Sequence, residues 1–190
     1  MSQVTKLGRA QIFIQENQPE SGHNSGMAFM NLQTRRLQFR ALSIQDLDFV
    51  IQLNRDPEVM KYLGGPEDNH EGLKSWLETG VPGFAMAEII ATGEPIGWFH
   101  LRPERQAPFD LELGYRLKRS AWGQGYCTEG SLALLDLARA QGAPRVIATT
   151  DIKNWASRRV MEKIGMVYTN DFLYNGTLPS VRYEIEFSPA

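Results

Sequence analysis

From residue 37 onward the apolar positions fall into short runs of two different periods, and each change of period marks an element boundary. Residues 37–40 alternate as a short strand, and Ser43-Ile44-Gln45-Asp46 has the spacing of a capping box. Leu47, Val50 and Ile51 then recur at helical spacing until the pattern fades near Arg55-Asp56-Pro57. A second short helix is expected over 58–63, closed by Gly64-Gly65-Pro66, and a third over 71–78, carrying Leu73, Trp76 and Leu77 and stopped by Gly80. Residues 84–90 and 96–101 form a hairpin about the turn 91–95, and a loop rich in charge and proline covers 102–110.

The next run, Leu111-Glu112-Leu113-Gly114-Tyr115-Arg116-Leu117, is a strand with two unlike faces. Leu111, Leu113, Tyr115 and Leu117 point one way, and Glu112, Gly114 and Arg116 the other, because successive side chains alternate across a strand. A carboxylate, a missing side chain and a guanidinium in register do not resemble a packed core face, so that face is a candidate site lining. A helical run over 131–140 follows, then a strand over 145–150, the helix between them being long enough for a parallel crossover. In the run from Asn154 to Met166, Ala156, Val160 and Ile164 form the expected buried face, and Arg158, Arg159, Glu162 and Lys163 the polar one. Gly165 is its stop. A last hairpin, 167–173 and 181–187, turns across Asn175-Gly176.

Residues 1–30 break this regularity. They are polar and turn-rich, and only Gln11-Ile12-Phe13-Ile14 has the pattern of a strand. They are expected to be an extension that is flexible or docks Ile12-Phe13-Ile14 on the domain or on a second subunit, with Met27 or Met30 as alternative starts. A single domain over 31–190 follows from a 190-residue chain in which 42% of positions are hydrophobic. The 20 basic and 22 acidic residues, net −2 and without long runs, argue against nucleic acid as the main partner. Lone Cys127 excludes an internal disulfide, and His23, His70 and His100 lack metal-ligand spacing, so no metal is implied. With no apolar stretch near the ~18 residues that span a bilayer and no apolar leader, a cytoplasmic protein without membrane contact is expected, as a monomer or homodimer.

The chemistry gathers between the two-faced strand and the helix after it, in Trp122-Gly123-Gln124-Gly125-Tyr126-Cys127-Thr128-Glu129. Gly123 and Gly125 allow positive φ and close backbone approach where the helix begins, and uncapped N–H groups at a helix start favour an anion. A phosphate-bearing ligand is therefore indicated. The stretch fits neither Gly-x-Gly-x-x-Gly, since Thr128 stands at the last position, nor the Lys-Ser/Thr phosphate loop.

The order of elements from about residue 35 to 187 resembles the GNAT N-acetyltransferases. Three stretches carry the resemblance: Glu112-Leu113-Gly114-Tyr115 is similar to that family's fourth strand, Trp122 to Glu129 to its acetyl-CoA pyrophosphate loop, and Asn154-x-x-Ser157 through Glu162-Lys163-x-Gly165-Met166 to the helix beside pantetheine. The resemblance implies a mixed α/β fold, a mostly antiparallel central sheet with a parallel pair at the acetyl-CoA site, flanked by helices. Thr34-Arg35-Arg36-Leu37 is similar to a phrase of the ribosomal-protein N-terminal alanine acetyltransferases. The chain departs from the family's broader loop pattern at Ser120, and from that branch at Cys127 and Gly130. What is implied is direct acetyl transfer from acetyl-CoA to a primary amine in a ternary complex. A protein N-terminal α-amine is the first reading, with a small-molecule amine acetyltransferase and a non-catalytic acyl-CoA-binding module as alternatives. The cofactor-binding residues implied are Tyr115, Leu117, Trp122, Gly123, Gln124, Gly125, Tyr126, Cys127, Thr128, Asn154 and Ser157.

Acetyl transfer needs a neutral amine, and free ammonium groups have pKa values of ~8 (α) to ~10 (aliphatic). Glu112 is the candidate base, directly or through water; its structural alternative is an ion pair with Arg116 on the same face. Ser157 is the candidate proton donor to the thiolate, its alternative a role in completing the helix start. Asn154 is expected to cap that helix as well as meet pantetheine, and Tyr126 to pack. A position near a helix start would favour a Cys127 thiolate, yet no histidine accompanies it in the motif, so direct transfer is preferred to an acetyl-cysteine. Trp98, Trp122 and His100 are expected as core or wall, with His100 also a possible contact for the acceptor.

Overall fold

The computed structural model describes residues 4–7, 10–13, 32–104, 107 and 110–187. Two short strands, β1 (Val4–Leu7) and β2 (Ala10–Phe13), pair as an antiparallel ribbon. The rest of the expected extension, including Ile14, Met27, Met30 and the side chains on which docking of Ile12-Phe13-Ile14 would depend, lies outside the described residues.

Seven strands make the main sheet: β3 (Leu37–Ala41), β4 (Phe84–Ile89), β5 (Pro95–Pro103), β6 (Leu111–Leu117), β7 (Arg145–Asp151), β8 (Val167–Tyr174) and β9 (Leu178–Glu186), in the order β3-β4-β5-β6-β7-β9-β8. All neighbours are antiparallel except β6 and β7. α1 (Leu47–Arg55), α2 (Pro57–Met60) and α3 (His70–Glu78) fill the connection from β3 to β4, α4 (Tyr126–Ala140) crosses from β6 to β7, and α5 (Trp155–Lys163) leads to β8. This is a mixed α/β architecture, a mostly antiparallel sheet with one parallel pair, flanked by helices. No helix among the described residues is long and apolar enough to cross a membrane.

Strand alternation divides the core in two. Leu37, Phe39, Phe99, Leu113 and Leu117 face α4 and α5 and bury Leu134, Ala138 and Met161. Met86 and Trp98 face the other way, against Val50 and Leu53 of α1 and Leu77 of α3. Both layers follow from apolar stripes that only a helix on each side of the sheet can cover.

The parallel pair is short. β6 and β7 meet in register only at Leu111↔Val146 and Glu112↔Ile147, near the start of both strands, whereas β6 runs on to Leu117 and β7 to Asp151. Beyond residue 112 they part, and backbone groups of β6 that would otherwise complete the ladder border the opening.

Local detail departs from expectation in three places. α4 starts at Tyr126 and not with the apolar run at 131, because Gly125, at φ 82°, turns the chain directly into the helix. On α5, Ala156 is exposed while Met161 and Ile164 are buried, and Arg158, expected on the polar face, is half-buried and hydrogen-bonds the Ile152 carbonyl at 3.1 Å. The Asp46 carboxylate does accept from the Ser43 N–H, at 2.9 Å, but it opens a 3-10 turn ahead of α1, its other bonds drawn by Arg40 of β3. The Asn175-Gly176 turn is as expected, with φ of 50° and 75°.

Gly130 lets α4 lie close to the sheet. A Cβ there would stand 2.6 Å from Phe99 Cζ and 3.2 Å from Phe39 Cζ, and those rings already pack edge to face at 5.4 Å. Gly130→Ala should therefore lower stability: overpacking costs about 1–3 kcal/mol and the gain in helix propensity returns about 1. Thermal denaturation should show a fall of a few degrees, recovered when Phe99→Leu is added; an unchanged or raised midpoint in the single variant would mean the helix shifts freely.

Candidate active site

The loop between β6 and α4 is held by its own side chains. A 3-10 turn over Arg119–Ala121 follows β6, Trp122 Nε1 donates to the Leu117 carbonyl at 2.8 Å, and Gln124 Nε2 donates to the Ser120 carbonyl at 2.7 Å. Gly123 and Gly125 sit at φ 73° and 82°, and no side chain caps the helix at Gly125. The first N–H groups of α4, from Tyr126, Cys127 and Thr128, are thus available to an anion, with the helix dipole behind them. A Cβ on Gly123 would meet nothing within 4 Å, so the turn faces open space. Leu117 is buried, and it contributes its backbone to this region. Tyr126 is buried as well, with the Arg36 guanidinium 4.4 Å above its ring.

The anchor of this loop lies far away in sequence. Glu129, in the first turn of α4, accepts from Thr34 Oγ1 at 2.6 Å, from the Arg36 N–H at 2.8 Å and from Arg36 Nε at 2.7 Å, while Arg36 Nη1 holds the Gln124 carbonyl at 3.0 Å. Burial works to raise the Glu129 pKa, but the hydrogen bonds from Thr34 and Arg36 and the Arg36 charge outweigh it and hold it below the usual carboxylate value. The phrase Thr34-Arg35-Arg36 is thereby a clamp on the start of α4. Beside it a cavity of about 560 Å³ is lined by Arg35, Gly125, Thr128 and Lys163, among others. Arg35 and Lys163 were not among the expected site residues, and nothing local in the sequence links them to the loop.

Across the opening between β6 and β7, the Tyr115 hydroxyl and Ser157 Oγ are 2.9 Å apart. The Ser157 side chain does not complete the helix start: the Ser157 N–H donates to Asn154 Oδ1 at 3.2 Å, which makes Asn154 the cap, and the hydroxyl is left to meet Tyr115. Asn154 Nδ2 donates to Thr150 Oγ1 at 3.0 Å. Burial, with the nearby Cys127, pushes the Tyr115 phenol above its ordinary value, so it stays neutral. Burial also pushes the Cys127 thiol up to about 12. The thiolate expected from the helix start is therefore disfavoured: the group is desolvated and no cation offsets the loss.

The opposite face of β6 has a different character. Glu112 stands opposite Arg102 of β5, and Arg102 Nη2 donates to Glu112 Oε2 at 2.6 Å. The alternative Glu112–Arg116 pair does not form, since residues four apart along a strand are much farther from each other than a directly opposed cross-strand pair. Arg116 reaches α1, donating to Asn54 Oδ1, and lies 4.9 Å over the Trp98 ring. His100 is opposite Gly114, where a Cβ would come within 2.7 Å of its Nε2, so only glycine leaves room for the ring. Burial, then the charges of Arg102 and Arg116, lower the His100 pKa to about 3, and burial lowers that of Arg116 to about 10 against support from the Glu67 charge. At neutral pH the imidazole is uncharged and both guanidiniums are cations.

Comparison with known proteins agrees with this architecture. The model of the acetyltransferase (GNAT) domain matches residues 36–167. The FsC-acetyl coenzyme A-N(2)-transacetylase of Aspergillus fumigatus is 35% identical over 176 residues, 81% of this chain and 75% of that protein. Among solved structures, a GNAT-family acetyltransferase from Bacillus anthracis superposes with a TM-score of 0.74 at 24% identity, over 83% of this chain and 98% of that one. The aminoglycoside acetyltransferase AAC(6')-Ib in complex with coenzyme A superposes at 0.67 and 16% identity, over 79% and 94%. At these identities the two structures speak to the fold.

With a pKa of about 12, the thiolate fraction of Cys127 at pH 8 is roughly 10⁻⁴. The folded protein should accordingly react with iodoacetamide far more slowly than a free thiol, and Cys127→Ala should retain near-normal turnover. Rapid alkylation at pH 8, or an acetyl group trapped on the sulfur, would overturn the bystander assignment.

Proposed function

The chain belongs to the GNAT acetyltransferase family and is an acetyl-CoA-dependent N-acetyltransferase, and from that premise we propose that it passes the acetyl group directly to a small-molecule primary amine in a ternary complex, with Glu112 as the base. The observation that carries this is the opening between β6 and β7, which has Glu112 at its closed end and an uncapped helix start at its other. Acetyl-CoA supplies the thioester carbonyl that the amine attacks. The N–H groups of the Gly123–Thr128 turn hold the pyrophosphate, and Arg35 and Lys163, on the adjoining cavity, offset phosphate charge. Tyr115, the Leu117 backbone and Asn154 border the opening that takes the pantetheine arm. Glu112 accepts the amine proton, directly or through water, as the N–C bond forms. As the C–S bond breaks, the hydroxyl of Ser157, supported by Tyr115, hydrogen-bonds the departing sulfur and offers it a proton.

Two acceptor classes were open in the sequence. The protein N-terminal α-amine rested on the Thr34 to Leu37 phrase, but those residues act on Glu129 and the cofactor loop, so they do not select an acceptor. A relative named for transacetylation at an N(2) position, matched over 81% of this chain, favours the small amine.

Glu112→Gln keeps shape and the bond to Arg102 but removes basicity. Its kcat should fall by ~10²–10⁴, acetyl-CoA affinity should hold, and the deficit should shrink as pH rises and more acceptor is already neutral. Near-normal kcat across pH would assign deprotonation elsewhere.

Gly125→Val would force a β-branched residue to positive φ at the start of α4, with its Cβ 3.4 Å from Arg36 Nη2. Calorimetric titration should show acetyl-CoA binding at least tenfold weaker in a folded variant. Unchanged affinity would move the pyrophosphate off this turn.

A further inference from the structure

On the sheet face that carries Glu112, one cluster has more donors than partners. Arg102 and Arg116 flank the neutral His100 imidazole over Gly114. Arg102 Nε, Arg116 Nε and both His100 ring nitrogens are buried with no hydrogen-bond partner among the described residues. Buried polar groups are normally paired, and a buried guanidinium that has only a neutral amide as its direct partner is costly to keep. Arg116 comes close to that position: Asn54 supplies an amide oxygen and the Trp98 ring lies 4.9 Å away, while Glu67 acts through its charge and not through a hydrogen bond among the described residues. The cluster is also reachable, since the Glu112 and Arg102 side chains retain 18% and 29% exposure. Cationic forks and a neutral N–H donor are the partners a carboxylate takes.

We propose that Arg102, Arg116 and His100 form an anion seat in the acceptor site, so that the acceptor is an amino acid or amino-acid-derived amine bearing a free carboxylate close to the nitrogen that is acetylated. This deepens the acetyl-transfer reading and rests on it. The spacing follows from the strand: Glu112 and Gly114 are two residues apart, about 7 Å, so an amine at Glu112 and a carboxylate over His100 lie within that span. The seat also addresses a problem in the mechanism. Glu112 is engaged by Arg102 at 2.6 Å, so the Oε2 lone pair that would meet the amine proton is already occupied. An acceptor carboxylate that draws Arg102 toward itself loosens that contact at the moment the amine arrives, so substrates lacking it lose rate as well as affinity.

The test uses matched pairs that differ only in the carboxylate: ornithine and putrescine, lysine and cadaverine, histidine and histamine, tryptophan and tryptamine. Coenzyme-A release by the full chain should give kcat/KM at least tenfold higher for the carboxylated member of the pairs that react. Arg102→Gln and Arg116→Gln should each bring that ratio toward one; as a ratio it is insensitive to a general loss of rate, and the more exposed Arg102 provides a variant expected to fold. Equal or reversed preference in the wild type, a ratio unmoved by either variant, or turnover only with peptide amides would overturn the seat. Titrating the same pairs into the enzyme–coenzyme A complex separates the two readings. If no probe turns over, the acetyl-transfer reading fails for these amines, and the seat stands or falls on whether the carboxylated member binds more tightly and loses that advantage in Arg102→Gln.

Discussion

The constraint on which the structure depends is the early end of one parallel ladder. β6 and β7 pair at residues 111–112 with 146–147 and then separate, which a continuous sheet would not do without a reason to leave backbone groups unpaired. The crossover helix α4 begins at the wide end of that separation and returns the chain to its narrow end. Along it lie the uncapped turn at Gly123 and Gly125, the Tyr115–Ser157 contact across the opening, and Glu112 where the strands still touch. A cosubstrate with phosphates at one end, a peptide-like arm and a reactive thioester at the other has the same sequence of chemical demands.

An opening of this kind must be held from outside, and two contacts distant in sequence do so. Thr34 and Arg36 gather on Glu129 and fix the first turn of α4 relative to β3, and Gly130, one residue on, lets the helix settle onto Phe99 and Phe39. Because the Glu129 pKa is depressed in the folded state, its contribution to stability is complete above the ordinary carboxylate value of 4.5 and is lost as pH falls through the lower folded value. The glycine turn and the fold's acid stability thus share one carboxylate.

The two faces of β6 divide the work. Toward α4 and α5 the strand presents Leu113, Tyr115 and Leu117, apolar or neutral, a surface suited to an uncharged arm. Toward α1–α3 it presents Glu112, Gly114 and Arg116, beside Trp98, His100 and Arg102 of β5. Burial keeps the His100 imidazole and the Tyr115 phenol neutral, whereas the Arg116 guanidinium starts from so high a pKa that it stays charged after desolvation. That face therefore presents two guanidiniums, one paired with Glu112 and one near the Glu67 charge, around an uncharged imidazole.

Features set by neighbours in the chain were legible from residues alone. The alternation of β6, the glycine turn feeding a helix and the Asn175-Gly176 hairpin each depend on local φ/ψ preference and on the period of apolar residues. What depended on register or burial was not legible. Glu112 pairs with Arg102 and not Arg116 because a cross-strand neighbour is nearer than one four positions along; Ser157 meets Tyr115 because α5 lies across an opening; Cys127 is a poor thiolate because desolvation outweighs the helix start. The tilt of α5 buries Met161 and exposes Ala156, which a period alone cannot decide when both faces carry apolar residues. Sequence determined which elements form, since that is set by short-range preference and period. Only the tertiary structure decided which charges meet, because partners 10 to 95 positions apart are brought together by strand order and helix packing.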